Sequence, residues 1–126
     1  MTPENNILIV TPRMEELAAL CRSNTLIEAG LYREYDVKRG LRDVNGKGVL
    51  AGLTNISDII AQREVDGILQ PCPGELYYRG IRIEELVQGF VREGRKGYEE
   101  VAYLLLFGRL PDAKELGSFK SLLAQG

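Results

Sequence analysis

The apolar residues between Tyr77 and Leu123 recur with the period of an α-helix. The first run fills positions i, i+3, i+4, i+7 and i+8 with Ile83, Leu86, Val87, Phe90 and Val91. These positions form one face of a helix with 3.6 residues per turn. Gly94 follows the run and can end a helix in the left-handed conformation. The pattern therefore predicts an amphipathic helix from about Ile83 to Gly94.

The next apolar run predicts a helix from about Tyr98 to Phe107. Glu99 and Glu100 stand in its first turn, where carboxylates interact favourably with the helix dipole. Gly108 follows its last residue, and Pro111 blocks continuation. The second half contains Val101, Ala102, Leu104, Leu105, Leu106 and Phe107. Because these residues leave no polar face in this half, we expect the helix to be buried.

A third helix is predicted after Pro111. Asp112 and Glu115 have the spacing of a capping box, in which each side chain accepts a hydrogen bond from the backbone N–H of the other residue. The buried stripe of this helix is predicted to consist of Leu116, Phe119, Leu122 and Leu123.

Near the N-terminus, Thr11 and Pro12 indicate the start of another helix. Thr is a good N-cap, and Pro is favoured at the first helical position. Met14, Leu17, Leu20 and Cys21 continue the apolar face. We expect this helix to end near Asn24, with a brief second helix within residues 26–35 and a glycine-rich loop after it.

Two segments, 49–60 and 68–78, contain the only plausible strands. Pro71, Pro73 and Gly74 interrupt the second segment and favour a turned connection there. We therefore expect a small β-ribbon beside a helical body. Since the sequence has no repeat and no low-complexity tract, the whole chain, residues 1–126, is predicted to be one mainly α unit.

Composition excludes several function classes. The chain has 126 residues, of which 44% are hydrophobic and 27% charged, as in an ordinary globular domain. A net charge of -2 argues against binding to nucleic acid or to an anionic membrane surface. No apolar run approaches the roughly 20 residues of a membrane span, and no positive signal-peptide region is present, so we expect a cytoplasmic protein. Cys21 and Cys72 form no CxxC pair, and no metal or redox site is predicted.

Three short motifs lack the context that their chemistry requires. Residues 46–51 match the letters G-x-G-x-x-A, but no apolar strand precedes them, so a glycine-rich turn is the preferred interpretation. Asp43, Asn45 and Lys47 imitate the opening of a calcium loop, but Lys replaces an oxygen ligand. A Ser–His–Asp triad is excluded within this chain because it contains no His.

Two further groups of residues have both a functional and a structural interpretation. Glu84 and Glu85 have the chemistry of general acids and bases, but at a helix start they are expected to form a solvated face that matches the dipole. The rings of four tyrosines can stack on an adenine, but we expect them to pack in a core or an interface with the hydroxyl at its edge. These are Tyr77, Tyr78, Tyr98 and Tyr103.

The residues of these helices, and not only their period, resemble the citrate synthase family. The matching segments are Tyr77-Tyr78-Arg79-Gly80-Ile81, Tyr98 to Gly108, Leu110-Pro111, Tyr35 to Arg42 and Gly48 to Thr54. The last two have the form seen in longer bacterial members. The resemblance spans roughly Thr11 to Gln125. It implies that the chain is the helical N-terminal segment of the citrate synthase fold.

One residue departs from the family pattern. Arg82 stands just before the helix that begins near Ile83, where many members have Asp. Because an Arg side chain cannot accept hydrogen bonds from the first N–H groups, we expect this helix to lack an N-cap that is typically worth about 1 kcal/mol.

The resemblance implies an enzyme that condenses acetyl-CoA with oxaloacetate. In the family an Asp removes the acetyl α-proton, one His hydrogen-bonds the enol oxygen and another His polarises the oxaloacetate carbonyl. This chain has no His, and in the family these groups lie downstream of the matched segments. We therefore expect an N-terminal fragment, inactive alone, whose partner is the remainder of its own chain. The resemblance further implies a homodimer, a coenzyme A thioester as substrate and no separate cofactor.

Two other functions stay open on the sequence. The first is 2-methylcitrate synthase, which uses propionyl-CoA, because the acyl pocket that distinguishes the two enzymes lies outside the matched segments. The second is a non-catalytic helical interaction module. Continuation of the reading frame past Gly126 into a chain with His residues distinguishes the enzyme from the module.

A basic cluster formed by Lys38, Arg39 and Arg42 is the candidate ligand site. An Arg fork binds phosphate oxygens bidentately, and coenzyme A carries phosphates. In citrate synthases an Arg of a short Arg-Gly motif at this place contacts the coenzyme from the neighbouring subunit. The resemblance therefore assigns a coenzyme A phosphate contact to Arg39. The alternative is a solvated cluster that pairs with Asp36 or Asp43. No catalytic residue is predicted within this chain.

Overall fold

A computed structural model of the chain describes residues 9–38, 40, 42, 45–46 and 48–125. In this part of the chain the elements are α1 (Pro12–Asn24), α2 (Ala29–Glu34), β1 (Ser57–Val65), β2 (Ile68–Tyr78), β3 (Ile81–Arg82), α3 (Ile83–Arg92), α4 (Tyr98–Phe107) and α5 (Ala113–Ala124). The three strands form one antiparallel sheet in the order β1-β2-β3. The predicted mainly α fold with a small β-ribbon is confirmed.

Local signals in the sequence place the start and end of α1. The side-chain oxygen of Thr11 accepts a hydrogen bond from the backbone N–H of Met14 at 3.3 Å, and Pro12 opens the helix. The helix ends at Asn24, as predicted. The brief second helix is also present within the predicted segment, as α2.

Helix α3 begins without a side-chain cap, as the departure at Arg82 predicts. Arg82 occupies the N-cap position, where its guanidinium can only donate hydrogen bonds, and it pairs with the Glu84 carboxylate at 3.3 Å. Leu86 is the buried residue of this helix, whereas Val91 is 61% exposed. The predicted amphipathic face therefore exists, but the described part of the chain covers only a portion of it.

Helix α4 crosses the core, with its N-terminus packed against α3. Gly97 precedes it with φ 79°, and a Cβ atom there would lie 2.5 Å from the Phe90 ring. Only a glycine allows this close approach. Tyr103, Leu104 and Phe107 are buried.

The prediction that the whole second half of α4 is buried is wrong. Leu106 is 44% exposed, and Leu105 is only partly buried. The core cluster draws on α1, α4 and α5, so the apolar residues that point away from α1 and α5 stay uncovered.

Four residues from three helices form the main core cluster: Leu17 of α1, Tyr103 and Phe107 of α4, and Phe119 of α5. The three aromatic rings meet edge to face, with centroid distances of 4.5, 5.4 and 5.9 Å. Such pairs contribute about 0.5 to 1.5 kcal/mol each beyond the area that they bury. The core thus depends on the tyrosine packing that the sequence predicted for Tyr103.

Only half of the predicted capping box forms at the start of α5. The Asp112 carboxylate accepts a hydrogen bond from the backbone N–H of Glu115 at 2.8 Å. The Glu115 carboxylate does not complete the box, because it is turned towards Tyr103 and Arg109. In the predicted apolar stripe Phe119 is buried and Leu123 is 47% exposed.

The predicted turn at Pro71, Pro73 and Gly74 is wrong. These residues lie within β2, where the register shifts opposite residues 60–62 of β1. The chain reverses instead at Asp66 and Gly67, which have φ 52° and 76°. A two-residue Asp-Gly loop with positive φ at both positions matches the twist of a hairpin, whereas prolines are tolerated at an irregular strand edge. The strand expected within residues 49–60 begins only at Ser57 and continues past that segment to Val65, as β1.

Candidate functional site

The basic loop between α2 and β1 is closed at two points. The backbone N–H of Lys38 donates to the Leu50 carbonyl at 2.7 Å. Arg42 and Gly48 form an antiparallel bridge, and the Arg42 guanidinium donates to the Gly46 carbonyl at 3.0 Å. These bonds hold the ends of the loop together and are typical of the glycine-rich turn that the sequence favours over a nucleotide site.

Arg39 lies outside the described residues, so its contact with a coenzyme A phosphate stays a prediction. Of the other two cations, Lys38 pairs with Asp36 at 2.8 Å, with both side chains at least half exposed. Arg42 is bound to its own loop through Gly46. The solvated pairing with Asp36 is therefore confirmed for Lys38. Asp43, the other predicted partner, also lies outside the described residues.

Two open cavities share a wall formed by Leu53, Thr54, Asn55 and Asp58. One, of about 360 Å³, is lined by Leu50, residues 52–58, Arg79 and Gly80. The other, of about 500 Å³, lies between this wall and α2 and is lined by apolar side chains together with Thr54, Asn55 and Asp58. Because Leu50 also receives the hydrogen bond from Lys38, the first cavity adjoins the base of the basic loop.

Arg79 borders the first cavity, but its side chain is anchored to protein carbonyls. Its Nε and Nη2 atoms donate to the Leu105 carbonyl at 3.2 and 2.9 Å. Its Nη1 atom donates to the carbonyls of Asn24 at 3.0 Å and Asn55 at 3.4 Å. Leu105 lies in the last turn of α4, and Asn24 ends α1. Arg79 therefore caps the C-terminal ends of two helices, α1 and α4. Its positive charge interacts favourably with the negative end of each helix dipole.

The sequence analysis did not assign this role to Arg79. In the structure Arg79 and Gly80 form the turn that links β2 to β3, and both have positive φ, 48° and 81°. An arginine in a left-handed turn is uncommon and indicates a special contact. The carbonyl partners, 26 and 55 positions away, give no signal in the sequence.

Glu115 is held as a carboxylate by two neighbours. Arg109 approaches both of its oxygens, at 2.7 and 3.1 Å, and the Tyr103 hydroxyl donates to Oε2 at 2.6 Å. The hydrogen bonds from Arg109 and then Tyr103 lower the pKa of Glu115 to about 2. Burial and the bond to Glu115 raise the pKa of Tyr103. At neutral pH this cluster neither accepts nor releases a proton, so its role is structural.

A second cluster of the same composition lies on the ribbon. Arg63 donates to Glu75 at 2.8 Å, and the Tyr77 hydroxyl donates to the same carboxylate at 2.7 Å. The hydrogen bond from Arg63 is the main cause that lowers the pKa of Glu75. This carboxylate, too, is unsuited to general acid/base chemistry at neutral pH, because it stays ionised.

The two glutamates that the sequence offered as general acids or bases, Glu84 and Glu85, are exposed. They are on the solvent side of α3, as predicted. Among the described residues, no group of three or more His, Cys, Asp or Glu side chains is placed to hold a metal ion. Cys21 and Cys72 are free thiols. None of the helices described is long and apolar enough to cross a membrane.

Comparison with known proteins assigns this arrangement to a family. The family model described as citrate synthase, C-terminal domain, matches residues 40–126, which include the second half of the basic loop, the sheet and helices α3 to α5. The chain belongs to the citrate synthase family. The expectation that it is the N-terminal segment of such an enzyme stays a prediction.

Curated relatives agree with the family. The chain is 32% identical to a glyoxysomal citrate synthase of Cucurbita maxima over 102 residues, 78% of this chain and 18% of that protein. It is 46% identical to a citrate synthase of Saccharolobus solfataricus over 50 residues, 40% of this chain and 12% of that protein. It is 33% identical to 2-methylcitrate synthase 1 of Corynebacterium glutamicum over 85 residues, 68% of this chain and 17% of that protein.

The matched region thus spans less than a fifth of each of these citrate synthase family relatives. No solved structure gives a significant match.

Proposed function

We propose that this chain is part of a citrate synthase-type transferase that condenses acetyl-CoA with oxaloacetate to give citrate and free coenzyme A. The reaction joins the acetyl methyl carbon to the oxaloacetate carbonyl carbon, and water then cleaves the thioester to release the thiol. The observation that carries this proposal is the family match over residues 40–126.

Within such an enzyme the chain acts as scaffold and not as the source of acid/base groups. It contains no His, and Glu75 and Glu115 are kept ionised by their arginine partners. Proton transfer in the condensation requires groups that titrate near the working pH. We therefore place those groups in the remainder of a longer polypeptide, and the 126-residue chain alone is inactive.

We propose that this chain contributes to substrate binding through Arg39. The neighbouring hydrogen bonds from Lys38 to Leu50 and from Arg42 to Gly46 hold the loop ends. They support the proposal because they hold Lys38 and Arg42, which stand on either side of Arg39 in the sequence, and residues that are already held lose less conformational entropy when a phosphate binds. Arg39 contacts a phosphate of coenzyme A in an active site completed by the neighbouring subunit of a cytoplasmic homodimer.

The second candidate reaction is 2-methylcitrate synthesis from propionyl-CoA. It is favoured by two Corynebacterium glutamicum relatives that are named 2-methylcitrate synthase and are 33% and 34% identical to this chain. The two reactions share the basic loop, because both substrates carry the same coenzyme A phosphates.

The deciding experiment measures coenzyme A release by the full-length polypeptide that carries this segment, with oxaloacetate and either acetyl-CoA or propionyl-CoA. A higher kcat/KM with acetyl-CoA supports citrate synthesis, and a higher value with propionyl-CoA supports 2-methylcitrate synthesis. Absence of release with both thioesters contradicts the proposed reaction class.

A further inference from the structure

The basic loop turns at Asn45 and Gly46, and both residues are exposed. Gly46 has φ 80°, and a Cβ atom added there would meet nothing within 4 Å. The Arg42 guanidinium donates to the Gly46 carbonyl at 3.0 Å, and Arg42 forms its bridge with Gly48 across the turn. The Asn45-Gly46 peptide therefore lies at an open turn beside the side chain of Arg42.

An asparagine that precedes a glycine can lose its side-chain amide in water alone. The backbone nitrogen of the glycine attacks the asparagine Cγ atom and closes a five-membered succinimide ring. The Cγ–Nδ2 bond breaks, and ammonia leaves with the proton of the attacking N–H. Water then opens the ring at either carbonyl carbon and gives aspartate or isoaspartate. A side chain on the second residue would crowd the ring, whereas glycine has none and its backbone is permissive.

Two other asparagines that the structure describes, Asn24 and Asn55, lie in a different setting. The Asn24 Nδ2 atom donates to the Leu20 carbonyl at 2.9 Å, and the Asn55 Nδ2 atom donates to the Asn24 carbonyl at 3.0 Å. These bonds hold each side chain in one orientation. Thr25 and Ile56 follow them in the sequence, and a β-branched side chain crowds the ring that the reaction must form.

The backbone nitrogens that would attack at these two asparagines are also held. The N–H of Thr25 donates to the Arg22 carbonyl at 3.4 Å. The N–H of Ile56 donates to the Thr54 hydroxyl oxygen at 3.2 Å. Ring closure would break these hydrogen bonds, so the folded chain opposes the reaction at both positions.

We infer that Asn45 is a site of spontaneous deamidation, and that the new carboxylate pairs with Arg42 and weakens phosphate binding at the basic loop. The first part rests on the turn alone, and the second part also rests on the proposed function. Deamidation adds one negative charge to a chain whose formal net charge is -2. Because the Arg42 guanidinium already contacts the residue after Asn45, the carboxylate gains a cation within the same turn. A phosphate then competes with this carboxylate for the positive charge of the loop.

The test of the first part incubates the purified 126-residue chain in mildly alkaline buffer and follows each asparagine by mass spectrometry of tryptic peptides. Trypsin cleaves after Lys and Arg, so it releases Asn45 within residues 43–47, apart from Asn24 and Asn55. The expected result is exchange of the amide NH₂ for OH at Asn45, with both aspartate and isoaspartate as products. Asn24 and Asn55 should be unchanged when half of Asn45 has reacted. The rate should rise with pH, because the attacking nitrogen must lose its proton.

Asn45→Gln is the matched control for the chemistry. It keeps the amide at an exposed position, but ring closure would then need six atoms, so the modification of residues 43–47 should be lost. An Asn45 that stays intact throughout the incubation overturns the first part. Asn24 or Asn55 reacting as fast as Asn45 also overturns it, because the surroundings of the three asparagines would then not control the reaction.

The test of the second part measures coenzyme A binding to the full-length polypeptide by calorimetry. Asn45→Asp, which is one of the two products, should weaken binding several-fold. Gln62→Glu adds the same charge at an exposed position of β1 and should leave the affinity unchanged. Equal affinities of Asn45→Asp and the wild type overturn the second part. A wild type that binds no coenzyme A contradicts the proposed Arg39 contact and the second part together, whereas the mass measurement decides the first part without them.

Discussion

The Arg79 guanidinium donates two hydrogen bonds to a single oxygen, the Leu105 carbonyl in the last turn of α4, at 3.2 and 2.9 Å. The same guanidinium reaches the Asn24 carbonyl at the end of α1. A backbone hydrogen bond from Arg79 to the Ile56 carbonyl, at 2.8 Å, fixes the turn from which the side chain extends. One side chain thus joins the β-ribbon to the ends of two helices that are far apart in sequence.

Removing this side chain should destabilise the fold. Arg79→Asn tolerates the positive φ of 48° but cannot reach the helix carbonyls. We expect the free energy of unfolding to fall by about 2 to 3 kcal/mol, because charged hydrogen bonds to half-buried carbonyls are lost. Urea unfolding followed by circular dichroism measures this change. Lys120→Ala, on the exposed side of α5, is the control and should change stability by less than about 0.5 kcal/mol. Equal stability of the two variants would refute the capping role of Arg79.

The Glu115 cluster predicts a loss of stability in acid. The pKa of Glu115 is lowered from its ordinary value of 4.5 to about 2 in the folded chain, mainly by Arg109. A lowered pKa means that the folded state favours the carboxylate. Its contribution is therefore complete above pH 4.5 and is lost as the pH falls towards 2. The melting temperature of the wild type should fall across this window.

Two glutamine variants separate this effect from general acid unfolding. Glu115→Gln should be less stable at neutral pH and should show a smaller fall in melting temperature between pH 4.5 and 2, because the titrating group is absent. Glu85→Gln, on the solvent side of α3, should follow the wild type. Identical pH profiles for the wild type and Glu115→Gln would show that the cluster does not stabilise the fold.

Gly97→Ala tests the packing of α3 against α4. The added methyl group would lie 2.5 Å from the Phe90 ring, and φ is 79°. We expect a loss of about 1 to 3 kcal/mol from overpacking and backbone strain. Gly89→Ala is the matched control, since nothing lies within 4 Å of its added Cβ and it sits inside α3. It should stabilise the chain by about 0.5 to 1 kcal/mol. A neutral effect of Gly97→Ala on the unfolding midpoint would contradict the close approach.

Helix boundaries were predictable because their signals are local. Thr11 with Pro12 and the run Tyr98–Phe107 specify their helices through caps, stop residues and periodicity, and the observed bounds agree. The hairpin was misplaced because Pro71 and Pro73 carry a strong turn signal. They occupy an irregular part of β2, whereas Asp66-Gly67 makes the actual reversal.

Contacts between distant residues were not predictable from the pattern. Glu115 has the spacing of a capping box, but its carboxylate binds Arg109 and Tyr103 instead of the backbone N–H of Asp112. A charged bidentate pair with Arg109 is stronger than one hydrogen bond to the backbone. The exposed side of α4 was missed for a related reason. The sequence shows that Leu106 is apolar, but it does not show whether a neighbouring element covers this residue, which is 44% exposed.

Arg39→Ala in the full-length enzyme tests the proposed coenzyme A contact. Because a phosphate contact mainly aids binding, the KM for acyl-CoA should rise several-fold, while the KM for oxaloacetate should barely move. A charged hydrogen bond contributes about 1.5 to 3 kcal/mol before solvent exposure reduces it. Arg92→Ala, at the exposed end of α3, is the control and should leave both constants unchanged. If Arg39→Ala left both KM values unchanged and lowered thermal stability, Arg39 would be a structural residue.

Coenzyme A release from acetyl-CoA and oxaloacetate tests the central claim most directly, when the 126-residue chain and the full-length polypeptide that carries it are assayed side by side. The chain contains no imidazole, and its clustered carboxylates at Glu75 and Glu115 are held ionised. The account predicts release by the full-length polypeptide and none above the uncatalysed background by the chain alone. Release by the chain alone that persists after repurification would contradict the account.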